Sequence, residues 1–286
     1  MAEHRAAPLP LARETDFDAV CVANPCNTLH VLGSFWPYSI RGYESRLVKA
    51  FKESCPVPDY QPHISELCEF YSACIVRAVG PEKIDWIARV LNSSESELDP
   101  SRPQSLLMDC VARRTGASAV THVFFKSGSR PPMRTVGHLS GPEALRARVR
   151  YAAQDLFIRP MDLGGTVLLI DDIMNTGASM RVYAGALKRW AGAKRVVCVN
   201  LAVTRFERGR DGWGRLILDT SEIQSRPGMD LVWIDQQGLY HKSRECGETR
   251  SKSTDLRFIA QRKCAPCPVC YSEHKPPRKW WQVWGP

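Results

Sequence analysis

Four apolar residues in unbroken succession, Val167 to Ile170, run directly into Asp171 and Asp172, and no other stretch limits the fold as much. A strand with one wet face alternates apolar and polar residues, so a run without alternation must be covered on both faces, as in a parallel sheet. Parallel neighbours need long crossover connections, usually helices. The chain supplies both kinds of segment. "IDWIARVL" (84–91), "AVTHVFF" (119–125) and "RVVCVNLAV" (195–203) read as further strands. "YESRLVKAFKE" (43–53), with Leu47, Val48 and Phe51 on one face, and "ISELCEFYSACIVRAV" (64–79) read as helices, as does "SLLMDCVARRTGAS", closed by Gly116. "EALRARVRYAAQDLF" (143–157) continues the helical pattern, and "SMRVYAGALKRWAGA" puts Val182, Tyr183, Ala186, Leu187 and Trp190 on one stripe that ends at Gly192. Strands and helices alternate from about residue 84 to 203, which predicts an α/β fold: a mostly parallel, twisted sheet with helices on both faces.

With 286 residues and 44% hydrophobic content the chain can bury a large core, and no apolar run approaches the length that crosses a bilayer. No membrane role is expected. The first residues lack the sustained apolar stretch of a secretory signal, so residues 1–37 read as a leader and N-terminal segment, 38–205 as the main domain and 206–286 as a C-terminal extension. Eleven cysteines, an odd number, then fit a reducing compartment, the cytoplasm, with clustered thiols serving a metal rather than disulfides. A formal charge of +9 points to an anionic partner, either nucleic acid or a phosphorylated small molecule.

Ligands of a parallel sheet bind at the carboxyl ends of its strands, and the two acids sit at such an end. After them comes "NTGAS", whose small residues let backbone N–H groups curl around a phosphate at the start of the next helix, near Met180. The carboxylates one turn earlier can accept hydrogen bonds from vicinal hydroxyls or help hold Mg²⁺. Hydroxyls and a phosphate on one small molecule describe a ribose 5-phosphate. A Walker B reading needs a G-x-x-x-x-G-K-[ST] partner and a dinucleotide fold needs G-x-G-x-x-G; the chain has neither.

"VLLIDDIMNTGAS" (167–179) resembles the phosphoribosyl-pyrophosphate (PRPP) motif of type I phosphoribosyltransferases. Over about residues 38–205 the chain is similar to the ComF-like branch of that family, with "SRPQS" (101–105) standing where the branch has "RGFNQ". The resemblance implies transfer of a phosphoribosyl group from Mg²⁺-PRPP to an acceptor, with loss of pyrophosphate. It implies that Asp171 and Asp172 serve the ribose hydroxyls and that Asn175, Thr176, Gly177, Ala178 and Ser179 cradle the 5′-phosphate. Arg102, together with Lys126, Arg130 and Arg134 of a long loop, would be the cations that meet the pyrophosphate, and one of Arg146, Arg148 and Arg150 could reach the same place.

Beyond residue 206 the character changes, with short strand-like pieces ("RLILD", "DLVWID") leading to "CAPCPVC". Cys264, Cys267 and Cys270, with Cys246 earlier, supply four thiolates for a structural Zn²⁺, and His241 or His274 could replace one sulfur. An iron–sulfur cluster and free thiols are the alternatives. The last residues interleave cations with Trp280, Trp281 and Trp284, a pattern for docking on a protein or stacking on nucleic acid. Two functions are therefore expected to compete: a phosphoribosyltransferase of unassigned acceptor, and a non-catalytic PRPP- or nucleotide-sensing module that works with a protein or nucleic-acid partner, for example in a DNA-uptake or defence system.

Overall fold

The computed structural model describes residues 8–11, 21, 23–35, 43–53, 61–128, 141–204, 218, 223, 231–241, 246, 252–255 and 264–270. Arg130, Arg134, His274, the tryptophans of the C-terminus and the "RLILD" segment except Leu218 lie outside them.

Five parallel strands form the centre: β2 (Thr28–Phe35), β3 (Trp86–Arg89), β4 (Ser118–Ala119), β7 (Thr166–Met174) and β8 (Arg195–Thr204), in the order β2-β8-β7-β3-β4. β7 is the middle strand, paired with β3 on one edge and β8 on the other. Its lack of polar alternation follows from its burial. Leu168 and Ile170 belong to one core cluster, and Val167 and Leu169 belong to the other. The first cluster is built with α1 (Tyr43–Glu53), α2 (Gln61–Val79) and α3 (Pro103–Thr115). The second is built with α4 (Gly141–Ala153) and α5 (Ala178–Trp190). Helices thus cover both faces, as the sequence predicts.

The connections decide where a ligand can enter. From β3 the chain crosses through α3 to β4, and from the adjacent β7 it crosses through α5 to β8 on the other side. Adjacent strands whose crossovers leave in opposite directions open a crevice at their carboxyl ends. That crevice lies between the ends of β3 and β7.

Two predicted elements are corrected. "AVTHVFF" is not one strand: Ser118–Ala119 edges the central sheet, while β5 (Phe124–Lys126) joins an antiparallel sheet with β1 (Leu9–Pro10) and β6 (Leu156–Ile158). The helix expected over 143–157 stops at Ala153, because Leu156 and Ile158 are taken into β6, where both are buried.

The C-terminal extension adds a four-stranded sheet in the order β11-β9-β10-β12, made of β9 (Leu231–Ile234), β10 (Leu239–His241), β11 (Lys252–Asp255) and β12 (Ala265–Pro266). Its strands β9 and β11 pack against α1. Among the described residues no helix is long and apolar enough to cross a membrane.

Candidate functional site

β7 continues through the acids to Met174, so Asp171 and Asp172 lie within the strand rather than beyond it. Successive strand side chains point to opposite faces, and the two carboxylates accordingly meet different neighbours. Asp172 is buried. One of its oxygens lies 2.8 Å from Lys52 Nζ of α1 and accepts a hydrogen bond from Gln104 Nε2 of α3 at 3.2 Å. The other accepts the Ile173 N–H at 2.5 Å. Asp171 is partly exposed and accepts the Asp172 N–H at 2.9 Å. Crowding by protein and then the charge of Asp172 push its carboxyl up to about 7, against the pull of Lys52. Across the sheet Asp171 is in register with Asn200, a fully buried residue whose Oδ1 has no hydrogen-bond partner.

Gly177 ends the turn after β7 with φ 74° and ψ 8°, the left-handed conformation that glycine adopts without steric cost. α5 starts immediately afterwards, at Ala178, and its first turn has neither a side-chain cap nor an acidic residue. Asn175 is exposed there, and Thr176 and Ser179 are partly exposed. The N-terminus of α3 also has no side-chain cap; its Ncap is Arg102 and Pro103 follows. Two helix N-termini, each carrying partial positive charge, therefore face the crevice on either side of the acids.

The loop after β3 is held rigidly from within. Arg89, only 2% exposed, forms a two-pronged pair with Glu95, at 2.9 Å and 2.5 Å, and donates to Ser105 Oγ and to the Val90 carbonyl. Burial pushes the Glu95 carboxyl up, but hydrogen bonds and charge from Arg89 and the N–H groups of Asn92 and Asp99 outweigh it, leaving the group below its ordinary value. Asn92 and Gln104 exchange amide contacts, which ties this loop to the Asp172 side chain.

The acids lie on β7 directly before the Asn175–Ser179 turn, and Arg102 stands at the Ncap of α3. Arg102 lies 3.4 Å from Asp99 and is about one-third exposed. Lys126 is different from its expected role. It ends β5, is buried, and donates to the carbonyls of Leu91 and Asn92, so its charge supports the β3 loop instead of riding a mobile one. Arg146 and Arg150 are exposed on α4 and Arg148 is partly buried. Lys52, Gln104, Asn92 and Asn200 were not foreseen. Gln104 lies inside the quoted "SRPQS", but no spacing rule connects Lys52 to an acid 120 residues away.

The second cluster lies in the C-terminal sheet. One ligand atom each from His241, Cys246, Cys267 and Cys270 falls within 4.8 Å of the others, so these four could hold a metal ion. Cys246 Sγ is 3.7 Å from Cys267 Sγ, and Cys270 Sγ is 4.0 Å from His241 Nδ1. The set expected from sequence is corrected at one position: Cys264 is replaced by His241. Cys264 and Cys267 flank the extended strand β12, which at ~3.3 Å per residue carries them about 10 Å apart. Cys267 and Cys270 flank a turn, which folds them back together.

Comparison with protein-family models and with curated proteins finds no match for this chain.

Proposed function

We propose that the crevice between β3 and β7 binds Mg²⁺-PRPP and that the protein transfers the phosphoribosyl group to an acceptor of unassigned class, releasing pyrophosphate, on a sheet of the type I phosphoribosyltransferase kind. One observation carries this reading. On one strand, at the switch point of a parallel sheet, an acid pair is followed by a left-handed glycine and an uncapped helix N-terminus.

The α5 N-terminus, with Asn175 to Ser179, would hold the 5′-phosphate. Asp171, the acid that reaches solvent, would accept the ribose hydroxyls, while Lys52 and Gln104 hold the Asp172 side chain in place beside it. The α3 N-terminus and Arg102 would receive the departing pyrophosphate. Magnesium carried in on the pyrophosphate would supply neutralisation of its charge. Positioning and electrostatics would lower the barrier as positive charge develops at C1.

The sensing module is the second reading, and Lys126 favours it: a cation expected over the leaving group is committed to backbone carbonyls. Pyrophosphate release from PRPP across a panel of acceptors, with Asp171→Asn and Asp172→Asn as controls, separates the two. Release that depends on both acids supports transfer, whereas tight PRPP binding without release from any acceptor supports sensing.

For the second cluster we read the ion as zinc in a structural role. Zn–S bonds of about 2.3 Å at tetrahedral angles put two sulfurs about 3.8 Å apart, against 3.7 Å for Cys246 and Cys267. Three sulfurs and an imidazole suit zinc, and one ion fits the spacing better than an iron–sulfur cube, which spreads its ligands further apart. Cytoplasmic residence, which keeps thiols reduced, completes the reading.

A further inference from the structure

Resting on that zinc reading, we propose that Asp235 fixes which nitrogen of His241 meets the ion, and that the closed site clasps the C-terminal sheet onto α1, the helix that brings Lys52 to Asp172.

His241 Nε2 lies 2.9 Å from Asp235 Oδ2, while Nδ1 faces the sulfurs. A carboxylate that accepts the Nε2 proton leaves the Nδ1 lone pair directed at the cluster, the arrangement by which carboxylates orient histidine ligands. Asp235 is itself held in place. Its other oxygen accepts the N–H groups of Gln237 and Leu239, each at 2.9 Å, in the β9–β10 turn completed by Gly238 at φ 79°. Both side chains are about 95% buried, His241 at 3% and Asp235 at 5% exposure. A buried imidazole held by a carboxylate on one side and facing three thiols on the other is built as a ligand. The Cys267 sulfur additionally accepts the N–H groups of Val269 and Cys270, which fix its position in the cluster.

Four protein ligands complete a tetrahedron, leaving no place for substrate, so the ion acts through what it joins. His241 belongs to β10. Cys267 follows β12, and its N–H donates to the Tyr240 carbonyl at 2.9 Å. β10 pairs with β9, and β9 and β11 pack on α1. From the last turn of α1, Lys52 reaches Asp172 at 2.8 Å.

The test uses the full chain and needs no PRPP. Metal content is measured by elemental analysis, affinity by Co²⁺ titration and by Zn²⁺ competition, and backbone protection by hydrogen exchange before and after chelation. Wild type and Cys264→Ser should each hold about one zinc, while Cys246→Ser and Cys270→Ser should lose it. Asp235→Asn should keep the stoichiometry but bind about 10–100-fold more weakly, with partial recovery in Asp235→Glu. Chelation should speed exchange in α1 and leave β7 and β8 protected, which also shows that the chain stays folded. Wild-type affinity in Asp235→Asn overturns the role of Asp235. Zinc loss in Cys264→Ser overturns the ligand set, and unchanged α1 exchange on chelation overturns the clasp. A wild-type chain that takes up neither metal overturns the zinc reading beneath all three.

Discussion

Asp171 shows how far a single residue can be read from its neighbours. Two adjacent acids are visible in the sequence, but their inequality is not, because it depends on Lys52 and Gln104 arriving beside one of them from α1 and α3. Its carboxyl is raised to about 7, so between the ordinary aspartate value and about 7 the folded state holds a proton that the unfolded chain has lost. Stability is then present at low pH and falls as pH rises through that window. Urea titrations at pH 5 and pH 8 should show wild type losing stability between them, and Asp171→Asn losing less. At the neighbouring turn, Gly177→Ala forces a β-carbon into the left-handed region, at a cost of about 1–2 kcal/mol, and brings it to 3.4 Å from Met174 Sδ. A lower melting temperature together with weaker PRPP binding is expected. The cysteines make the complementary point. Spacing counts Cys264 and Cys270 as equals about Cys267, whereas a strand on one side and a turn on the other admit only Cys270 to the cluster.

Elements were legible where one face or both faces were unambiguously apolar. β7, β8 and α5 are of this kind, and so is α3, where Gly116 takes the left-handed position after the last turn. The boundaries that failed, in "AVTHVFF" and after Ala153, are places where short segments pair in the small antiparallel sheet, and no local pattern announces which partner wins. The loop after β3 reads as plain polar loop in sequence, yet it is organised around a buried ion pair. Removing one member of such a pair strands the other charge, so Arg89→Met should destabilise by about 3–5 kcal/mol. Denaturant unfolding of Arg89→Met, compared with the Arg89→Met/Glu95→Leu double variant, checks this. The double variant should recover part of the loss, since no unpaired charge remains.

At the scale of the whole molecule, alternation of strands and helices predicts the fold class, but strand order decides where a crevice opens. The order β2-β8-β7-β3-β4 makes the acid pair neighbour to the end of β3 and puts two uncapped helix N-termini at one crevice. The sequence carries the parts of that arrangement without their juxtaposition, because long-range pairing is set by packing on both faces. Of the C-terminal sheet, the strand-like "DLVWID", which contains β9, and the cysteines are legible in sequence, whereas its contact with α1 has no sequence signature. The central claim is that this crevice grips PRPP through the α5 N-terminus and the acids before it. Titration calorimetry of the purified protein with PRPP and Mg²⁺ tests it most directly. The account predicts saturable binding that Asp171→Asn and Gly177→Ala each weaken at least tenfold, about 1.4 kcal/mol; absence of binding by the wild type, or wild-type affinity in both variants, would contradict it.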